Sequence, residues 1–439
     1  MKRWLPLLLC LLLGPHTVAL AAMNAQRTTL PDGMVLVTSE QPALPIVSVR
    51  LLIRAGSRYD PGQRHGLANL TSRLLTLGTP TRDAMSISGL VEGMGAHFWA
   101  DCGREQATLN LNILKKDLDT GLALMSEVLT DASFPEKEVS RTKQSLLASI
   151  RAKRDRPRAI ARDAFRAALY PESFYGRPVE GSEDTVRGLD RNAVLDFHRR
   201  YYRPDRTILV VVGDITHDGI REKLAAALAG WKKGDGEPDA PVELSPPKRA
   251  AVKLDRNLVQ SNIIMGHEGP LRDNPDHYAI RVMSQILGGG DLSSRLGDAI
   301  RNRRGLAYSV YSYFLAGRTT GRFQMAMQTR NESAREAIDV ARAEIERMRR
   351  DGVTAAEVRD AKSYLTGSFA LGLETNDDIA DFLGQVEYLG LGLDYVDRYP
   401  DLIRKVTAED VLRVARKYLQ PEKLILVVVG NLEKASLGN

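Results

Sequence analysis

A chain of 439 residues, 43% hydrophobic and 26% charged, exceeds what one hydrophobic core usually organises, so two globular domains of about 200 residues each are expected. The formal charge of +6 falls to about +4 without Lys2 and Arg3, which is too diffuse for a nucleic-acid surface. Only Cys10 and Cys102 are present, and loss of a leading segment containing Cys10 excludes a disulfide framework.

Lys2 and Arg3 precede an apolar run, Leu5 to Leu13, and Ala19-Leu20-Ala21 has the small-x-small pattern of a secretory cleavage site. The run is too short to span a bilayer. Residues 1–21 therefore read as a cleavable signal peptide, leaving a periplasmic or secreted chain with no integral membrane segment. Ser48 to Gly56 reads as a strand ending in glycine. Thr108 to Ile113 alternates strictly, as a half-buried antiparallel strand does, and Asp117 to Leu129 has helical spacing. Pro135-Glu136-Lys137-Glu138 starts another helix. The densest basic run, Arg151 to Arg158, reads as a solvated helix end broken by Pro157.

Residues 189–214 form a helix that ends at Pro204, followed by the β-branched run Ile208 to Val212, a strand buried on both faces. Trp231 to Pro247 carries three glycine and proline clusters and reads as a linker. The expected domains are residues 22–232 and 248–439, joined by residues 233–247. In the second, Ser261 to Gly269 is again a strand ending in glycine, with His267 at its exposed end. Leu292, Leu296 and Ile300 recur every four residues, predicting a helix to about Arg303 that Gly305 stops, and Tyr308 starts a strand. Ala334 to Met348 has helical spacing, and Thr354-Ala355-Ala356-Glu357 is a helix start. Residues 406–431 then repeat residues 189–214: Val194, Tyr201, Pro204 and Gly213 recur as Val411, Tyr418, Pro421 and Gly430, at one offset of 217. The fold class is α+β, a mainly antiparallel sheet packed on helices, present twice.

Gly66-Leu67-Ala68-Asn69-Leu70-Thr71-Ser72-Arg73, with the apolar sequel ending in Gly78-Thr79, resembles the inverted zinc motif of pitrilysin/insulinase-type peptidases, in which Gly-Leu-Ala precedes His-x-x-Glu-His. Asn69 and Arg73 stand at the histidine positions and Ser72 at the glutamate position. Leu147-Ala148-Ser149-Ile150 puts Ser149 where the family has its third ligand, a glutamate. Asn69 is a weak ligand, Ser72 is no base at neutral pH, and Arg73 is permanently positive where a cation would sit. No metal is therefore expected in this chain. Beyond residue 21 the histidines are His65, His97, His198, His217, His267 and His277, and they form no i, i+4 pair.

The order of these segments resembles the two-domain subunits of processing-peptidase-like members of that family, and implies their metalloprotease fold. The block 288–311 resembles their C-terminal domain, where an Arg and a Tyr seven positions apart reach the catalytic centre. By that resemblance Arg301 and Tyr308 hold the substrate carbonyl and stabilise the oxyanion; on residue chemistry alone, with Tyr311, Tyr313 and Phe314 nearby, packing is the favoured reading of Tyr308, and the matching block reverses it. Gly288-Gly289-Gly290 lacks the Lys-Ser/Thr of a phosphate loop and reads as a helix entrance. Gly95 to Asp101 falls where the family has an edge strand that pairs with peptide, so His97, Phe98 and Trp99 are candidate substrate contacts or core residues. The resemblance implies a metal-free subunit of a heterodimeric periplasmic peptidase, whose partner carries the intact His-x-x-Glu-His motif and the zinc. The alternative is a scaffold or peptide-binding protein that has left catalysis.

Overall fold

Two runs with no polar break, Leu209 to Val212 and Val427 to Val429, are completely buried, because each lies inside a sheet that is covered on both faces. In this computed structural model, residues 23–234, 239, 241–248 and 250–437 are described; the expected signal peptide lies outside the described residues, as does part of the expected linker. Strands β1 (Ala25–Thr29), β2 (Val35–Glu40), β3 (Ile46–Ile53), β4 (His97–Cys102), β5 (Ala107–Leu114) and β6 (Thr207–Gly213) form the first sheet, ordered β1-β2-β6-β3-β5-β4. Strands β7 (Ala251–Asp255), β8 (Gln260–Gly269), β9 (Ala307–Ala316), β10 (Gly321–Arg330) and β11 (Ile425–Gly430) form the second, ordered β7-β11-β8-β10-β9. Without β1 the two orders are the same. The single parallel pair also matches, β2 with β6 and β7 with β11, every other pairing being antiparallel. The repeat seen in residues 189–214 and 406–431 is thus one piece of a duplicated topology, in which β9 is the counterpart of β4.

One face of each sheet packs on helices of its own half, and the other receives a helix from the opposite half. Helix Pro157–Leu169 seats Ala161, Phe165 and Leu169 against Ile264, Ala326, Val427 and Val429 of the second sheet. Helix Asn376–Leu389 seats Ile379, Ala380 and Leu383 against Leu52, Val210 and Val212 of the first. A glycine permits each close approach. A Cβ on Gly266 of β8 would stand 2.6 Å from Phe165 Cζ, and one on Gly384 would stand 2.8 Å from Leu52 Cδ1. Polar contacts pin both seats: Tyr170 Oη donates to the Gly321 carbonyl at 3.0 Å, Asn376 Nδ2 donates to the Ile46 carbonyl at 3.1 Å, and Arg50 pairs with Asp377 at 3.0 Å.

Three expectations change. Pro157 does not merely break a solvated helix end: after a 3-10 turn, Lys153–Asp155, it occupies the first turn of the exchanged helix, where its missing N–H costs nothing. His267 is not exposed but 2% accessible, packed against Phe314 and Phe323, with Nε2 accepting from the Gln420 amide at 3.2 Å. The expected α-helix through Leu296 and Ile300 widens to a π-helix over Gly297–Asn302, with Arg303 N donating to Asp298 O at 2.9 Å.

Because Phe165 belongs to one half and fills the other's sheet, Phe165→Ala is expected to destabilise the whole chain by about 3–5 kcal/mol in chemical denaturation. In hydrogen exchange, the amides of β5 and β10 lose protection together.

Candidate functional site

Gly66 enters helix Leu67–Leu74 with φ +96°, and a Cβ there would lie 2.6 Å from the Glu180 carbonyl oxygen. Only glycine meets both conditions without strain. Its amide and that of Ala68 donate to the two Asp60 carboxyl oxygens at 2.8 and 2.7 Å, so Asp60 caps the helix from outside it. Burial outweighs these donors and pushes the Asp60 carboxyl from 3.8 up to about 7.

One turn into this helix, Arg73 Nε donates to Asn69 Oδ1 at 2.9 Å, so the residues at the two histidine positions satisfy each other. Ser72 is 1% exposed, its hydroxyl buried near the Tyr202 hydroxyl without a well-formed hydrogen bond. Ser149 is exposed on helix Glu136–Ala152. Cys102, at the end of β4, faces the same region: burial first, then the charges of Asp60 and Asp101, push its thiol up, while Arg73 opposes them. Among the described residues no three His, Cys, Asp or Glu side chains converge on a point that could hold a metal. An amide, a hydroxyl and a guanidinium do not fit zinc, which takes neutral imidazoles, thiolates or carboxylates.

In the second half, Arg301 stacks over the Tyr308 ring, its guanidinium carbon 4.6 Å from the centroid. Arg301 lies in the π-helix and Tyr308 near the start of β9, with Gly305 at φ +60° turning the chain between them. Tyr308 is 80% exposed. The glycine block serves packing: a Cβ on Gly288 would come within 2.5 Å of the Ser312 amide of β9. No hydrogen bond, ion pair or ring contact among the described residues joins Arg301 or Tyr308 to the Asn69–Arg73 cluster.

Strand β4 closes one edge of the first sheet, with His97 and Trp99 turned outward and Phe98 packed toward the core of its half. Beside its end a cavity of about 470 Å³ opens between the Asp101–Gln106 turn and the β9–β10 turn. Glu105 in that turn accepts from Tyr175 and Tyr388, tying it to the exchanged helix Asn376–Leu389. A second cavity, lined by Arg158, Arg162, Arg166 and Arg322, lies against the second sheet. Sequence reasoning missed it. The spacing of the three helix arginines at i, i+4 and i+8 was a signal, but Arg322 joins them only through the exchange.

Two family models match the chain, meeting near residue 185, ahead of β6 of the first sheet. Residues 35–183 match a family model described as Insulinase (Peptidase family M16), and residues 188–365 match one described as Peptidase M16 inactive domain. The chain is 31% identical over 410 residues to an uncharacterized zinc protease of Mycobacterium tuberculosis, covering 91% of this chain and 92% of that one. It is 29% identical to an uncharacterized zinc protease of Streptomyces coelicolor, over 96% of this chain and 92% of that one. A crystal structure of a peptidase M16 inactive domain from Pseudomonas fluorescens aligns with a TM-score of 0.88 and 27% identity, over 93% of this chain and 98% of that one. A Helicobacter pylori protease shares the fold, with a TM-score of 0.85 at 21% identity, over 92% and 99% of the two chains.

The pKa of Asp60 yields a signed prediction. Its folded value stands above 3.8, so its stabilising share is full below about pH 4 and is lost as pH rises through about 7. Asp60→Asn, neutral throughout, should gain melting temperature relative to wild type as pH is raised from 4 to 7; a constant difference between the two melting curves would contradict this.

Proposed function

We propose, from the premise that the chain belongs to the peptidase M16 (insulinase) family, that it is the metal-free subunit of a two-chain exported zinc peptidase. The observation that carries this reading is asymmetric: the first half has a guanidinium bound to an amide at the ligand positions, while the second keeps Arg301 stacked on an exposed Tyr308. In this reading a homologous partner with an intact His-x-x-Glu-His motif brings the zinc and its base, and this chain closes the chamber. The export signal in residues 1–21 supports a periplasmic or secreted location.

The roles assigned to the pair follow from their chemistry. A guanidinium offers several N–H donors in a rigid fork and a phenol one O–H, which suits two hydrogen bonds to a peptide carbonyl oxygen as negative charge develops on it. The ring contact with Tyr308 restricts the guanidinium beforehand, so less freedom is lost on binding. Substrate would lie extended along β4, whose outer edge has unpaired backbone groups and whose outward side chains are His97 and Trp99.

Purified alone, the chain should carry no stoichiometric zinc by elemental analysis and cleave no peptide. Mixed with the zinc-bearing homologue, it should restore cleavage. Arg301→Ala and Tyr308→Phe should each lower turnover of the complex by about 10²-fold. Unchanged turnover in both variants would remove the catalytic role and leave the chain a scaffold or peptide-binding protein.

A further inference from the structure

The cavity against the second sheet has a volume of about 430 Å³ and a wall made of arginine. Arg158, Arg162 and Arg166 recur at i, i+4 and i+8 along one edge of helix Pro157–Leu169, and Arg322 meets them from β10. Arg158 is held by Gln328 Oε1, at 3.2 Å from its Nε. Among the described residues, no carboxylate forms an ion pair with Arg162, Arg166 or Arg322. Asp163, the acid on the same helix, is bound to Lys153 instead. Like charges accumulate: burial, then Arg104, Arg322 and Arg162, lower Arg166 from 12.5 to about 10, and Asp163 offsets them only in part. A folded chain normally neutralises partly buried cations or leaves them out. Here the chain supplies fewer negative charges than positive ones, since Asp163, which acts on Arg166, is already paired with Lys153.

Two further features narrow what that charge belongs to. Asn262, 5% exposed, lines the cavity, and its buried side-chain oxygen has no hydrogen-bond partner among the described residues. An unsatisfied acceptor beside several cations suits a ligand that brings N–H donors with its anion, as a peptide does and a bare inorganic anion does not. Tyr311 and Tyr313 of β9 also line the cavity, two residues apart on one face, with ring centroids 6.1 Å apart and planes 9° from parallel. They offer a flat apolar surface for the chain that carries the charge. Leu315 and Arg322 line both this cavity and the one beside the end of β4, so the two share a wall.

We propose that this arginine pocket is a carboxylate subsite, taking the C-terminal carboxylate or an Asp or Glu side chain of an extended peptide. The inference rests on reading the chain as a peptide-handling subunit, yet it is tested on the full isolated chain, without partner or zinc. Three fluorescent peptides of one neutral sequence are compared by anisotropy: free C-terminus, amidated C-terminus, and amidated with one internal Glu. The free-acid or Glu-bearing peptide should bind at least tenfold more tightly than the neutral amide, and whichever does identifies the source of the carboxylate. Raising salt should weaken that preference. The double variant Arg162→Gln/Arg166→Gln should abolish it while melting no lower than wild type, because like charges have been removed; Lys434→Gln, an exposed control, should leave it unchanged. Equal binding of all three peptides, no binding of any, or wild-type affinity in the double variant would overturn the subsite. None of these outcomes bears on restored cleavage in the mixed complex, which tests the parent reading separately.

Discussion

The reciprocal exchange of helices Pro157–Leu169 and Asn376–Leu389 is the constraint on which the rest of the molecule depends. A sheet with one face open would have to alternate polar and apolar residues. β6 and β11 do not alternate, and their second faces are dry only because the other half covers them. Neither half can bury its own sheet, so a duplicated chain becomes one cooperative body. The same exchange builds the cavities, since it brings helix arginines of the first half against strands of the second and Tyr388 of the second half against the Glu105 turn of the first.

How much of this was legible in the sequence varied with the range of the interaction. Strand β5, predicted over Thr108 to Ile113, runs Ala107–Leu114, and helices start after Pro135 and Thr354 as predicted, the second closed by a Thr354–Glu357 capping box. Those signals are local. The apolar character of Ile208 to Val212 announced two covered faces but not which residues cover the second. That depends on contacts across more than 150 positions, and the inner stripe Ala161, Phe165, Leu169 was hidden by the arginines interleaved with it. His267 failed for a related reason: its ring is buried by Phe314 and Phe323, from strands far along the chain, and a polar residue at a strand end looks exposed until they are placed.

The emptied motif was readable because its chemistry is set by residue type at i and i+4, a spacing that puts both side chains on one helix face. The structure adds how the loss is accommodated. Arg73 is exposed, so its charge is solvated, and its Nε donates to Asn69 Oδ1 while Asp60 takes up the N-terminal amides of the helix. Substituting one histidine position alone would have set a cation against an imidazole. The paired replacement gives a self-contained hydrogen bond, which is how a helix can give up ligand chemistry and keep its packing through Leu67, Leu70 and Leu74.

The duplication lets the two halves diverge without disturbing each other's frame. β4 and β9 are the same edge in two copies of one sheet, yet they carry different chemistry: β4 runs beside the emptied helix, whereas β9 carries Tyr308 next to its start and continues through Tyr311 and Tyr313. Preservation at β9 is structurally demanding. Gly288, in a second π-helix over Gln285–Gly289, has no room for a Cβ against Ser312, and the wide turn Gly297–Asn302 carries Arg301 to lie over Tyr308. In the proposed function, a chain that has filled its ligand positions with self-satisfied polar groups, and presents one phenol and one guanidinium beyond a π turn, would hold a substrate and leave its cutting to the partner.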